Sequence, residues 1–166
     1  MTTTAISTET TTTEEIGTVE FKLEVATIPV SDVDRAKTFY ESLGWRLDAD
    51  FPIREDFRVI QMTPPGSPTA VIFGTGVTAA QPGSTAAFVL AVSDVEAARA
   101  DLVARGIDVS EVFHGASGFD LAAAGTEARL NGPDPDRTSY KSWLSFSDPD
   151  GNGWLVQELT SRLPGR

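Results

Sequence analysis

"IPVSDVDRAKTFYESLGW", residues 28 to 45, places a short apolar strand before Ser-Asp, then a helical run, then Leu-Gly. Sixty-two residues later, "LAVSDVEAARADLVARGI" (90 to 107) writes the same unit again. At that offset Val30-Ser31-Asp32-Val33 falls on Val92-Ser93-Asp94-Val95, Ala36 on Ala98, Lys37 on Arg99 and Gly44 on Gly106. Ser31 with Asp34, and Ser93 with Glu96, have the spacing of a capping box, which satisfies free backbone donors at a helix start. Val33, Ala36, Tyr40 and Leu43 share one helical face, as do Val95, Ala98 and Leu102. Gly44 and Gly106 stand where a helix ends in a left-handed residue. The repeat matches in cap, helix and stop together, so each copy reads as strand, capped helix, glycine stop.

Three strands follow in each copy. After the first helix come "WRLDADF", "DFRVIQMT" and "AVIFGTG", the last two joined by "PPGSP"; after the second come "GIDVSEVF", "SWLSFS" and "WLVQEL", the last two joined by "DPDGNG". The reading is an α+β fold of two tandem βαβββ modules. Its expected divisions are a Thr-rich tail at 1–17, a first module at 18–76, a linker at 77–85 and a second module at 86–162. The second half departs from the first in a long insertion, about residues 114–139, which in a compact domain marks a lid or binding loop. Within it "FDLAAAGTEARL" is expected to form a short helix carrying Glu127 and Arg129.

Composition excludes several function classes. A formal charge of −11 and a pI near 4.4 would repel nucleic acid phosphates and anionic membrane surfaces. With no cysteine there is no disulfide, thiolate ligand or thiol nucleophile. No run approaches the ~18 apolar residues of a membrane span. "MTTTAISTETTTTEE" has neither a basic start nor an apolar centre, so it does not read as a signal peptide and a cytoplasmic location is expected. With eight Thr and three Glu in fifteen residues it cannot bury a face and reads as a disordered tail.

Two βαβββ units, with "VSDVDRAKTFYESLG" opening and "FSDPDGNGWLVQE" closing, resemble the vicinal oxygen chelate group of glyoxalases, bleomycin resistance proteins and extradiol dioxygenases. The resemblance spans residues 20 to 160. It implies two curved sheets forming one cup around a small molecule, often in a homodimer. In the family's enzymes it also implies a divalent metal held from the first and last strands of each unit. Carried onto this chain, the first-strand ligand positions are Val25 and Ala87, and the last-strand positions are Leu155 and its counterpart Ala70. All four are apolar, and a hard or borderline cation needs oxygen or imidazole donors. No metal and no other cofactor is therefore expected.

An apolar cup with a few polar anchors remains, the usual form of a small-molecule site. Its candidate ligand-binding residues are Val25, Thr27, Arg58, Gln61, Ala87, Val89, Tyr140, Trp143, Leu155 and Gln157. Arg58 and Gln61 lie on opposite faces of one strand by alternation, so only one of them can line the cup. His114, the chain's single histidine, and Glu127 are the candidates for proton transfer should the protein be an enzyme. Asp32, Asp94, Asp148 and Asp150 read as helix-start and turn residues without chemistry. Two functions follow: a metal-free protein sequestering a hydrophobic or aromatic small molecule, or a cofactor-independent isomerase, lyase or cyclase working in the same cavity.

Overall fold

The computed structural model describes residues 19–86, 88–115 and 129–164. The elements run β1 (Val25–Thr27), α1 (Val33–Ser42), β2 (Arg46–Arg54), β3 (Phe57–Thr63) and β4 (Ala70–Thr75). The second half follows with β5 (Phe88–Val92), α2 (Val95–Ala104), β6 (Phe113–Gly115), β7 (Arg129–Asn131), β8 (Ser142–Ser147) and β9 (Gly153–Glu158). They form two mixed sheets, ordered β1-β4-β3-β2 and β5-β9-β8-β6-β7. In each, the module's first strand lies parallel to its last, β1 on β4 and β5 on β9, and the other pairs are antiparallel. This is the expected α+β fold of two βαβββ modules.

The helix starts sit one residue later than the capping boxes predict. Asp32 accepts from the Arg35 amide, and Asp94 accepts from the Glu96 and Ala97 amides. A carboxylate is the stronger acceptor here and also meets the positive end of the helix dipole. The Ser31 hydroxyl is instead used across the molecule, donating to Asp150. Gly44 and Gly106 take φ of 79° and 77°, as their C-terminal positions require.

The insertion also differs from expectation. Arg129 and Leu130 belong to strand β7, which pairs with β6, so the anticipated helix does not extend over them. The rest of that helix, Glu127 included, lies outside the described residues, as does Ala87. The strand expected across 106–113 is reduced to β6 and a single bridge between Val109 and Phe146. The returning chain is fixed by Arg137, whose guanidinium pairs with the fully buried Glu158 at 2.6 Å and with Glu96 at 2.6 Å. Glu158 also accepts from the Val95 amide at 3.0 Å, so one carboxylate joins the end of β9, the start of α2 and the insertion.

One core joins the modules. Ile60, Met62, Val71 and Phe73 of the first sheet meet Leu144, Phe146, Trp154 and Val156 of the second, with Ala36 and Tyr40 of α1 and Val95 of α2 among them. Trp154 crosses Trp45 edge-on at 5.1 Å and Tyr40 at 6.1 Å. Both sheets thus turn their helix-bearing faces toward this core. At its centre Asp148 accepts four hydrogen bonds, from the Tyr40 hydroxyl (2.8 Å), the Asn152 side-chain amide (2.8 Å) and the Asp150 and Asn152 backbone amides (3.0 and 2.9 Å). Burial, and then the charge of Asp148, push the Tyr40 phenol well above its ordinary range, so it stays a donor at any working pH.

Replacing Tyr40 with Phe should lower unfolding free energy by about 1–3 kcal/mol, because the carboxylate loses a donor that buried water cannot replace. Asp148→Ala should cost about 3–5 kcal/mol by breaking the whole network, both read from urea midpoints. At the surface of the first module, Arg58 and Lys37 hold the Asp50 carboxyl well below the usual carboxylate range. A depressed carboxylate stabilises the fold above its unfolded pKa near 4, and that contribution fades as pH falls through the folded value. Asp50→Asn should therefore cost about 1 kcal/mol at pH 7, and progressively less as the pH is lowered below about 4.

Candidate functional site

Strand register sorts the candidate residues. On the first sheet, Val25 pairs with Ala70 and Thr27 with Ile72, Ile72 with Gln61, and Gln61 with Ala49. Val59 and Phe51 continue that row. None of these belongs to the shared core, and by alternation all lie on the face turned away from the helices. On the second sheet Val89 pairs with Leu155 and Ala91 with Gln157; Leu155 pairs with Ser145, Gln157 with Trp143, and Trp143 with Phe113. This row too is turned away from the core.

The second face carries the aromatic wall. Trp143, Phe113 and Leu155 form a buried cluster separate from the main core. The Arg129 guanidinium lies 4.0 Å from the Phe113 ring centroid, a cation–π stack that extends the aromatic surface to the sheet edge. Gln157 is oriented by donating its side-chain amide to the Tyr140 carbonyl at 2.9 Å, leaving its own carbonyl oxygen for another donor. The first face is more open and more polar at one end, where Asp48 gathers Thr63, Arg46 and Gln61. These hydrogen bonds, Arg46 first, hold the Asp48 carboxyl below its ordinary value.

Several sequence-predicted residues lie elsewhere. Arg58 is on the helix face, where it forks onto Asp50 (2.9 Å from each of two nitrogens) and reaches Asp34 at 2.8 Å. It is a structural tie, and Gln61 is the member of that pair on the outer face. His114 pairs in register with Ser142, on the side opposite Phe113 and Trp143, and its Nδ1 lies 2.8 Å from the Gly132 carbonyl. It holds the insertion's return and does not face the aromatic wall. Tyr140 has φ of 73°, and its hydroxyl accepts from the Leu163 amide at 3.0 Å, so its phenol serves the C-terminal segment. Phe113 is an outer-face residue that sequence reasoning did not assign, and Arg129, expected on a lid helix, instead lies beside it on strand β7. Alternation from Trp143 would have found Phe113 only once the pairing of β6 with β8 was known.

The register also corrects one metal position. Phe88 on Trp154 corresponds to Ala26 on Val71, so the first-module counterpart of Leu155 is Ile72, and that of Ala70 is Gly153. Every one of these residues lacks a side-chain metal donor, and the nearby Glu158 carboxylate is locked to Arg137 and the α2 start. Among the described residues no group of three His, Asp or Glu could hold a metal ion. The donor set does not fit the metal that the fold's enzymes use.

Among curated proteins none matches this sequence. Solved structures do. TnmS3, an antibiotic binding protein from Streptomyces sp. CB03234, is 28% identical, with a TM-score of 0.62 over 86% of this chain and 99% of that one. A glyoxalase/bleomycin resistance protein from the same strain is 29% identical, with a TM-score of 0.59 over 82% of this chain and 100% of that one. A superfamily member from Sphaerobacter thermophilus DSM 20745 shares the fold at 24% identity, TM-score 0.60, over 84% and 98%. The sequence profile of one family matches residues 22–156, from the approach to β1 to the middle of β9. The repeated unit, the two mixed sheets and this match together place the chain in the glyoxalase/bleomycin resistance protein/dioxygenase superfamily.

Proposed function

We propose that this protein binds a hydrophobic or aromatic small molecule, without a metal, on the faces that carry Gln61 and Trp143, and so sequesters it. The observation that carries the reading is that Leu155, at a ligand-bearing position, is apolar and clusters with Trp143 and Phe113 on the face turned away from the main core. Flat, rigid rings with little rotamer freedom suit a planar ligand, and Gln157 and Gln61 supply amides to orient it. The likeness to TnmS3, itself an antibiotic binding protein, supports an antibiotic or a similar natural product as the class. His114 lies on the opposite side from Trp143, and Asp48, on the first face, is held by Arg46, Thr63 and Gln61, so the binding reading is the better supported of the two.

The same reading calls for a second copy. Phe51 and Val89, on the two outer faces, are 60% and 44% exposed, and each face turns away from its own chain's core. Pairing the first face of one copy with the second face of another would cover both and enclose the ligand between them. Among the described residues no helix is long and apolar enough to cross a membrane.

Titrating aromatic antibiotics against tryptophan fluorescence should give saturable quenching, and mass spectrometry should recover the compound unchanged. Turnover would move the protein to the enzyme reading. Val89→Asp, which puts a charge on the face, should weaken binding at least tenfold without unfolding the chain. Adding Zn, Ni, Mn or Fe should leave the thermal midpoint within about 1 °C, since an ion bound to the folded state would raise it. Sedimentation velocity should report two chains per particle, and Phe51→Asp should return it to one.

A further inference from the structure

The two halves are not packed alike at one pair of equivalent places. Before β5, residues 81–85 lie as a strap along the end of β1 and over the 148–152 turn. Gly83 donates to the Pro29 carbonyl at 3.2 Å, Thr85 donates to the Asn152 side chain at 3.2 Å, and Gly153 donates to the Thr85 carbonyl at 2.8 Å. The fit is close: a Cβ on Gly83 would stand 2.1 Å from the Asp150 carbonyl oxygen. The repeat offset of 62 relates residues 81–85 to 19–23 and Pro29 to Ala91, and the strand pairing that makes Gly153 the equivalent of Ala70 relates the 148–152 turn to the turn at 65–69.

At that second place there is a cleft of about 440 Å³. Its lining includes Pro64 and Pro68 at that turn, Val89 and Ala91 of β5, and Trp45 and Leu102. Residues 19–23 stand outside it, with Val19, Phe21 and Leu23 exposed at 69%, 92% and 72%. Their alternation with Glu20, Lys22 and Glu24 gives an extended segment one apolar and one charged side. The segment is already tethered beside the cleft, because the Leu23 carbonyl accepts from Thr69 at 2.8 Å, one residue beyond Pro68.

The backbone of β5 is open on this side. The Val92 carbonyl takes the Leu159 amide, so alternation turns the Ala91 carbonyl to the free edge, as Pro29 turns its own toward Gly83. The strand reads Phe-Val-Leu-Ala-Val, with no charge, proline or bulge to protect that edge. By contrast the β2 edge is charged, contains Pro52 and carries register shifts.

We propose that residues 19–23 are an N-terminal strap that closes over its own chain's cleft, with the Phe21 amide on the Ala91 carbonyl and Val19, Phe21 and Leu23 covering the apolar walls. The strap is the quasi-equivalent of the 81–85 strap, and it completes the internal symmetry of the duplicated unit. The strap shares Val89 and Ala91 with the outer face of the second sheet, and its closure is measurable without any ligand.

The chain has no cysteine, which gives a clean test. Phe21→Cys with Ala91→Cys in the full-length protein, mildly oxidised, should form a disulfide within one chain, seen as single-chain mobility on a non-reducing gel and confirmed by peptide mapping. A disulfide between two chains, meaning that copies exchange straps, would overturn the proposal, and so would the absence of any disulfide. Independently, Phe21→Asp should speed hydrogen exchange of the Val89 and Ala91 amides at least tenfold and leave β8 unchanged. Phe21 is almost wholly exposed when the strap is open, so folding should survive, which circular dichroism checks. Equal exchange in the two proteins would also sink the strap.

Discussion

The fold is held at one buried carboxylate. Asp148 sits in the last turn of the second module, yet one of its side-chain donors is Tyr40 on the first module's helix. The Tyr40 oxygen also accepts from the Trp154 indole at 3.2 Å, and Asn152 reaches from the same turn to the Pro29 carbonyl at 2.8 Å. A carboxylate out of water is costly unless its lone pairs are filled. Filling them here demands that α1, the end of β1 and the β8–β9 turn meet in one arrangement. The two modules are therefore joined by geometry as well as by apolar area, and the rest of the packing follows from that junction.

One consequence is the division of labour between sheet faces. Because Tyr40 and Trp154 draw the helix-bearing faces together, the opposite faces of both sheets point outward. Aromatic residues are spent on both sides: Trp45, Phe73, Phe146 and Trp154 inside the junction, Trp143 and Phe113 outside it. The inner set makes the chain rigid, and the outer set forms a second, smaller buried cluster with Leu155 on the opposite side of the sheet. The polar residues divide in the same manner. Arg58, Arg137, Asp50 and Glu158 are consumed in ties on the helix side, which leaves Gln61 and Gln157 as the amides of the outer faces.

A second consequence concerns symmetry. The repeat doubles strand, helix and glycine stop, but Tyr40 corresponds to Leu102, and the Asp-Pro-Asp-Gly turn corresponds to Pro-Gly-Ser-Pro. Only one of the two equivalent junctions can therefore be locked by hydrogen bonds. The other is apolar and open, lined by Leu102 and the prolines. Duplicated folds commonly specialise in this manner, one copy supplying a fixed joint and the other a surface that can be covered or uncovered.

The sequence by itself determined the two-module architecture, since caps, helical faces and stop glycines are local and repeat at a fixed offset. It also determined that the expected ligand positions Val25, Ala87 and Leu155 are apolar, because that depends only on residue type, while the first-module counterpart of Leu155, Ile72, needed the strand register. Which face a strand residue occupies relative to its neighbour was legible too, as in the opposition of Arg58 and Gln61. What it left open was which face meets the core, because alternation has no absolute sign until a strand is paired. Only the tertiary structure decided that Arg58 and His114 serve the helix side while Phe113 and Arg129 join Trp143. It alone showed Asp148 as a hub, where a turn residue was all that local reasoning could see. The physical reason is that hydrogen-bond partners more than a hundred residues apart leave no periodic trace, whereas a helix cap does.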